Sequence, residues 1–325
     1  MIVRWGLEAY AELLAALGVE RPLLVTTKRW SGIDLPVERR YDGVRRHVPR
    51  RTVEEAVAAA EGADGLVALG GGSAIDTAKA VSAATGLPVV SIPTTYAGAE
   101  WAPGFGMRDE ERGVKVGGTG ARLAGILYEP ELTLSLPEGE TGGTALNALA
   151  HCAEALYVAG RNPDADEHAL AGARLIAASL PRVLADGGDR AARRSLLEGA
   201  MHAGAALGSA GLGLGHAMAQ ALGGRYGIAH GALNAVCLPP ALRFNEPVAG
   251  AEVERFGEAV GAEADAAAKV EELARLAGFE RLRDLGVPEP ELPLVAAATV
   301  ERAGAKANPR PASPGEVLEL LRGVW

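Results

Sequence analysis

The chain has 325 residues, of which 48% are hydrophobic and 22% are charged, so its composition excludes a disordered or fibrous protein. Its 41 acidic residues outnumber 32 basic ones, and the resulting net charge of −9 argues against nucleic acid as a main partner. Two cysteines, Cys152 and Cys237, are too few for a disulfide framework and indicate a reducing compartment. Because no apolar targeting stretch follows Met1, we expect a cytoplasmic protein.

The first half of the sequence alternates predicted helices and strands. Its pattern predicts an amphipathic helix over 7–17 and short apolar strands at 22–26, 65–69 and 88–93. A threonine followed three residues later by a glutamate predicts a capping box at the start of a helix over 52–60. Strands that alternate with helices favour a parallel sheet covered on both faces.

The second half is predicted to be helical, and we place the domain boundary near Pro137. The expected fold is an α/β N-terminal domain with a parallel, dinucleotide-binding sheet over 1–137 and an all-α domain over 138–325. The predicted helices lie at roughly 144–158, 165–179, 190–222, 253–277, 290–304 and 314–322. The apolar stretch 203–222 has the length of a membrane span, but its Ser209, His216 and Gln220 favour a buried helical segment.

A glycine-rich turn follows the strand predicted at 65–69. Gly70, Gly71 and Gly72 let the backbone approach a charged ligand, and the helix that starts at Ser73 favours an anion at its N-terminus. Ser73 and Asp76 have the spacing of a second capping box. The alternative is a tight strand-to-helix turn that binds nothing, since the sequence is not the usual G-x-G-x-x-G fingerprint.

Two hydroxyl residues, Thr94 and Thr95, end the next predicted strand. Ligands in open α/β sheets lie beyond the carboxyl ends of the strands, so these hydroxyls are candidates for contacts with a ribose or a phosphate. The alternative is a turn built from proline, threonine and glycine.

Three histidines are predicted to lie in helical segments that can converge. Asn147 and His151 are four residues apart and share a helix face, to which Glu154 adds a third polar residue. His216 and His230 follow, separated by fourteen residues. Such a set predicts a metal site or a proton-transfer site, although a single histidine of this kind is more often structural.

These blocks resemble the iron-containing (group III) alcohol dehydrogenase superfamily, and they are most similar to its maleylacetate reductase branch. The residues that carry the resemblance are Gly70-Gly71-Gly72-Ser73 with Asp76 and Lys79, Pro93 to Glu100 with Tyr96, Gly113-Val114-Lys115, Asn147 with His151, and His216 with His230 and Asn234. The likeness runs along essentially the whole chain.

The resemblance implies a nicotinamide cofactor, either NADH or NADPH, an active site in a cleft between the domains, and a homodimer. The pyrophosphate is expected on the glycine turn, and Thr27, which stands where related dehydrogenases carry an acidic residue, is expected to tolerate NADPH. The candidate cofactor contacts are Gly71, Gly72, Ser73, Asp76, Thr94, Thr95, Lys115 and Thr27.

The sequence departs from the family pattern at two positions. Metal-dependent members have an aspartate where this chain has Asn147, a neutral and poorer ligand. Gln220 stands where a histidine is common.

The candidate catalytic residues are His151, His216 and His230. They are candidates both for proton transfer and for binding a divalent metal, iron or zinc. Asn147, Tyr96 and Arg243 are the candidate substrate contacts.

The sequence thus predicts an NAD(P)H-dependent oxidoreductase that transfers a hydride to a small unsaturated or oxo acid, with neither nucleic acid nor a membrane as partner. The main alternative is a metal-dependent alcohol or polyol dehydrogenase. Two further alternatives are a cyclase of the dehydroquinate-synthase type and a catalytically inactive nucleotide-binding protein.

Overall fold

The computed structural model describes residues 1–109, 114–262 and 265–325, and of residues 109, 114 and 115 it describes the backbone alone. The chain forms two compact units. The first comprises Met1–Thr95 and Ala99–Ser135, and the second comprises Tyr96–Gly98 and Leu136–Trp325.

The first unit is built on a parallel sheet of six strands, in the order β1-β8-β5-β4-β2-β3, with a separate antiparallel hairpin of β6 and β7. The strands are β1 (Ile2–Trp5), β2 (Pro22–Thr26), β3 (Arg39–Tyr41), β4 (Gly65–Gly70), β5 (Pro88–Pro93), β6 (Phe105–Asp109), β7 (Val114–Gly118) and β8 (Arg122–Tyr128). The helices are α1 (Tyr10–Ala16), α2 (Arg50–Ala59) and α3 (Gly72–Thr85). The predicted parallel α/β sheet is confirmed.

Both faces of this sheet are buried, which explains why its central strands are continuously apolar. Leu24 and Val67 point to the face covered by α1, where they pack with Leu13. Leu66, one residue before Val67, points to the opposite face and packs there with Ile75 of α3. The alternation follows from the two-residue period of a strand.

Both predicted capping boxes in this unit are wrong. The helix predicted over 52–60 begins at Arg50, with Pro49 at its N-cap and no side-chain cap. Helix α3 begins at Gly72, with Gly71 at the N-cap, so Ser73 already lies inside the helix. Proline and glycine take these positions because their backbone geometry suits a helix start without a capping hydroxyl.

The second unit is largely helical, as predicted. Its helices are α4 (Glu138–Ala155), α5 (Pro163–Ala185), α6 (Arg190–Ala210), α7 (Leu214–Tyr226), α8 (His230–Val260), α9 (Ala266–Leu276), α10 (Leu292–Val300), α11 (Ala303–Ala307) and α12 (Pro314–Gly323). Helix α4 packs against α5, α6 and α8. Its buried Leu146, Leu149 and Ala153 lie in the core of this unit.

Two differences from the predicted helices have clear causes. The single helix predicted over 190–222 is two helices, because Gly211 (φ +93°) ends α6 and Gly213 caps α7. The start of α8 was not predicted, because Pro239, Pro240 and Pro247 lie inside it, and its backbone leaves helical geometry at Ala249. Within the described residues, no helix is both long and apolar enough to cross a bilayer.

Candidate active site

The glycine turn, residues 70–73, joins β4 to α3. Gly70 has a φ of +147°, and a Cβ there would lie 2.8 Å from the Cβ of Ala74. A Cβ on Gly71 would lie 2.9 Å from Thr95 Cγ2, whereas one on Gly72 would meet nothing within 4 Å. The turn therefore requires glycine at its first two positions and leaves room in front of the third.

This turn fits the pyrophosphate of a dinucleotide. Residues 71–73 are partly exposed, and Gly71 caps α3 without a side-chain acceptor. The first turn of an α-helix carries N–H groups that have no intrahelical acceptor, and together with the helix dipole they attract an anion. A side chain at residue 71 would collide with Thr95 and would therefore block the turn.

The other predicted cofactor contacts of the first unit lie at the ends of neighbouring strands. Thr94 is buried, and its N–H donates to the carbonyl of Gly70 at 3.0 Å, while Thr95 is half-buried beside Gly71. Thr27, also half-buried, directly follows β2. These residues share the carboxyl edge of the sheet, where ligands of open α/β folds bind. The side chain of Lys115 lies outside the described residues.

Asp76 is engaged within the protein. Its Oδ1 lies 2.8 Å from Nζ of Lys79, and its Oδ2 accepts the N–H of Gly106 at 3.1 Å. Lys79 is almost fully buried and donates to the carbonyls of Ala99 at 2.8 Å and Ala102 at 3.2 Å, and also to that of Gly104. The pair therefore holds the segment after β5 and the start of the hairpin. Lys79 belongs to the motif that begins at the glycine turn, but its contacts with these carbonyls were not predicted.

The second unit brings the three predicted histidines together into a cluster, which we call the histidine cluster. His151 comes from α4, His216 from α7 and His230 from the first position of α8. The ring centroids of His151 and His216 are 4.7 Å apart and stacked, and those of His216 and His230 are 5.7 Å apart. His151 and His216 are both buried.

Asn147 sets the hydrogen bonding of His151. Its Nδ2 donates to the carbonyl of Ala97 at 3.1 Å and lies 3.4 Å from His151 Nε2. Its Oδ1 accepts from Asn234 Nδ2 at 2.6 Å. A carbonyl oxygen can only accept, so the contact with Ala97 fixes which end of the amide carries the hydrogens. Burial, reinforced by the neighbouring His216 and His230, holds the pKa of His151 well below its ordinary value.

His216 is held by a buried carboxylate. Its Nδ1 lies 2.7 Å from Oε2 of Glu154, a fully buried residue of α4. The Nε2 atom of His216 is buried and has no hydrogen-bond partner. Glu154 was predicted to lie on the polar face of its helix, but its contact with His216, 62 residues further along the chain, was not predicted.

The donor set of the histidine cluster does not fit a divalent iron or zinc ion. The Asn147 atom nearest His151 Nε2 is an amide nitrogen, which donates hydrogen and does not bind a cation. The amide oxygen of Asn147 is occupied by Asn234, and the Glu154 carboxylate is occupied by His216. Among the described residues, no three His, Cys, Asp or Glu side chains are arranged to hold one metal ion. The metal role of the histidines stays a prediction.

We expect Asn147→Asp to create affinity for a divalent cation. The substitution replaces the amide nitrogen beside His151 with an anionic oxygen, and ligand charge is a main determinant of cation affinity. Zn²⁺ binding measured by calorimetry should strengthen by roughly tenfold or more. Asn162→Asp adds the same charge at a helix N-cap and should leave Zn²⁺ binding unchanged. Equal affinities in the parent chain and the Asn147 variant would contradict this account.

The two other predicted substrate contacts are Tyr96 and Arg243, and neither lies at an open position beside the histidine cluster. Tyr96 is fully buried, and its hydroxyl accepts from Arg193, which also donates to Thr141 Oγ1 at 3.2 Å. Arg243 lies 13 residues beyond His230 on α8 and is paired with Asp265 and Glu271. Arg193, the buried partner of Tyr96, was not predicted from the sequence.

Two further histidines form a pair of their own. The Nδ1 atoms of His168 of α5 and His202 of α6 lie 2.8 Å apart. Burial, with His168 nearby, lowers the pKa of His202. Because one ring nitrogen must donate and the other accept, the contact links α5 to α6.

The chain matches two family models, which together span most of its length. Residues 4–124 match the iron-containing alcohol dehydrogenase model, and residues 141–325 match the model of the C-terminal part of the Fe-containing alcohol dehydrogenase family.

Individual relatives support the same family. The maleylacetate reductase of Burkholderia cepacia is 40% identical over 86% of this chain and 79% of its own length. The crystal structure of maleylacetate reductase from Rhizobium sp. strain MTP-10005 superposes with a TM-score of 0.92, at 31% identity, over all of this chain and 95% of that one.

A more distant structure shares the fold. Sulfoacetaldehyde reductase from Bifidobacterium kashiwanohense, determined in complex with NAD⁺, has a TM-score of 0.90 at 22% identity and is matched over all of this chain and 96% of that one. Taken with the two family models and the identity to maleylacetate reductases, the result is clear: the chain belongs to the iron-containing alcohol dehydrogenase family and is an oxidoreductase of the maleylacetate reductase type.

Proposed function

We propose that this protein is a maleylacetate reductase that uses NADH or NADPH. The observation that carries the proposal is the 40% identity to a maleylacetate reductase, and it is supported by a histidine cluster in which the amide nitrogen of Asn147 lies 3.4 Å from His151 Nε2. The reaction would reduce the carbon–carbon double bond of maleylacetate to give 3-oxoadipate, consuming one reduced cofactor and one proton.

The first unit would bind the cofactor, which supplies the hydride. The pyrophosphate would rest on the N–H groups of Gly71, Gly72 and Ser73, with Thr94 and Thr95 as neighbouring contacts. Thr27 carries no charge. A carboxylate at this position would repel the 2′-phosphate of NADPH, and this site has none there. NADPH should therefore be accepted as well as NADH.

The second unit would supply the proton. A hydride added to an unsaturated acid leaves negative charge on the substrate, and hydrogen-bond donors near that charge stabilise the transition state. His151, His216 and His230 are the groups proposed for this work, since imidazole both donates hydrogen bonds and transfers protons near neutral pH. We further propose that the protein works as a cytoplasmic homodimer.

The test is whether the protein oxidises NADH and NADPH when maleylacetate is added. Oxidation is measured as the loss of cofactor absorbance, and the product is identified. We expect turnover with both cofactors, and we expect it to persist after treatment with a chelator. Inactivity of the folded protein with both cofactors would overturn the proposal. Loss of activity on chelation, with recovery on adding a divalent metal, would instead favour a metal-dependent alcohol dehydrogenase.

A further inference from the structure

The carboxylate of Glu154 is the target of three hydrogen-bond donors. Its Oε2 accepts from the N–H of Gly213 at 2.6 Å and lies 2.7 Å from His216 Nδ1. Its Oε1 accepts from the backbone N–H of His216 at 3.1 Å. One side chain of α4 therefore binds the N-terminal turn of α7 and the imidazole that this turn carries.

The sequence at the start of α7 makes room for this carboxylate. A Cβ on Gly213 would lie 3.0 Å from Glu154 Cδ, and a Cβ on Gly215 would lie 3.0 Å from Glu154 Oε1. These distances are shorter than ordinary contacts between side chains, so residues larger than glycine would push Glu154 away from His216. The two glycines are thus part of the arrangement around the histidine.

A buried carboxylate is costly unless its charge is compensated. Glu154 is fully buried, and its compensation comes from backbone N–H groups at the N-terminus of α7, where the helix dipole favours negative charge. The anion can accept hydrogen bonds but cannot donate them. The hydrogen in its contact with His216 must therefore belong to the histidine.

We propose that Glu154 is a positioning residue that fixes His216 with its proton on Nδ1, and so makes Nε2 the nitrogen that exchanges a proton with the substrate. The orientation of one ring nitrogen is commonly set by the hydrogen bond of the other. Here Nδ1 is held by Glu154, and Nε2 is buried without a partner. The inference rests on the proposed function for its catalytic part, whereas the position of the proton is independent of it.

The proton balance of the step is simple. Reduction of a double bond adds a hydride at one carbon and a proton at its neighbour. When Nε2 gives up that proton, the N–H bond breaks and its electron pair stays on Nε2. The ring is then neutral with its hydrogen on Nδ1, which is the form that Glu154 binds. This neutral ring is the resting form, and a proton taken up from solvent when the next substrate binds converts it to the donor.

The first experiment measures the position of the proton directly. Nitrogen NMR of histidine-labelled full-length protein, assigned with the His216→Asn variant, distinguishes a ring nitrogen that carries hydrogen from one that does not. We expect His216 in the substrate-free protein to carry hydrogen on Nδ1 and a lone pair on Nε2. Hydrogen on Nε2 and none on Nδ1 would overturn the proposal, whatever reaction the protein catalyses.

The second experiment uses Glu154→Gln. Glutamine has one acceptor oxygen in place of two, so it cannot serve all three donors, and its amide can present hydrogen to Nδ1. We expect the NMR signals of His216 to shift away from the Nδ1–H form, and kcat with maleylacetate to fall by about 10- to 100-fold. KM should stay within roughly threefold, because Glu154 acts through His216 and not on the bound substrate.

Two further variants separate positioning from stability. Glu129→Gln is the matched control, since Glu129 also accepts two backbone N–H groups, from Leu7 and Glu131, but contacts no histidine. It should leave kcat and the His216 signals unchanged. Glu154→Asp keeps the carboxylate. It should recover part of the kcat and part of the normal His216 signals that Glu154→Gln loses. A Glu154→Gln variant with normal kcat and normal His216 signals would contradict the proposal.

Discussion

His216→Asn should lower kcat for maleylacetate by about 10²- to 10⁴-fold, the range expected when a positioned proton-transfer group is removed. Asparagine places an amide nitrogen close to where Nδ1 of histidine lies, so the bond to Glu154 can persist while Nε2 is lost. The folded unit should therefore survive the change. Steady-state kinetics with saturating cofactor measure the effect, and cofactor binding should change by less than about twofold.

The matched control for this experiment is His168→Asn. His168 is a partly buried histidine of the same unit, and its ring contacts that of His202 on the neighbouring helix α6. Its substitution should leave kcat unchanged. A loss of less than tenfold in the His216 variant, or an equal loss in both variants, would show that Nε2 of His216 does not carry the proton transfer.

Lys79→Met should destabilise the first unit by about 3 kcal/mol, within the range found when one partner of a buried ion pair is removed. Methionine fills a similar volume but donates no hydrogen bonds. The change leaves the carbonyls of Ala99, Ala102 and Gly104 without this donor and Asp76 without its cation. Urea unfolding followed by a probe of the first unit should show a clear drop in the midpoint.

Lys269→Met is the control for this prediction. Lys269 pairs with Glu272 three residues away, as Lys79 pairs with Asp76, but at a more exposed position. Its loss should cost less than about 1 kcal/mol. Adding Asp76→Asn to Lys79→Met should recover part of the stability, because it removes the uncompensated charge. Equal midpoints for the two lysine variants would contradict the structural role assigned to Lys79.

Periodicity explains why the main architecture could be predicted from the sequence. The buried strands β2, β4 and β5 are short apolar runs bounded by turn residues, and the glycine turn that follows β4 stands where a helix begins. Helix starts were harder to predict. The two expected capping boxes failed because Pro49 and Gly71 cap their helices through backbone geometry alone.

The candidate site was predictable only as a list of residue types. Four-residue spacing placed Asn147 and His151 on one helix face, and the structure agrees. Nothing in local sequence pairs Glu154 with His216, or Lys79 with the carbonyls that follow β5, since these contacts join segments far apart in the chain. Likewise, the orientation of the Asn147 amide depends on Ala97 and Asn234, which only the folded chain brings near it.

The prolines of α8 determine which part of this helix can bend without moving the histidine that it carries. Each proline lacks an amide hydrogen, so the rigid ladder of the helix is interrupted at Pro239, Pro240 and Pro247 and finally gives way at Ala249. His230 and Asn234 lie upstream of every interruption. A change of helix direction at these breaks therefore affects only the part of α8 that follows them. The first turns of α8, which carry the imidazole of His230 and the amide of Asn234, therefore keep an unbroken ladder of backbone hydrogen bonds.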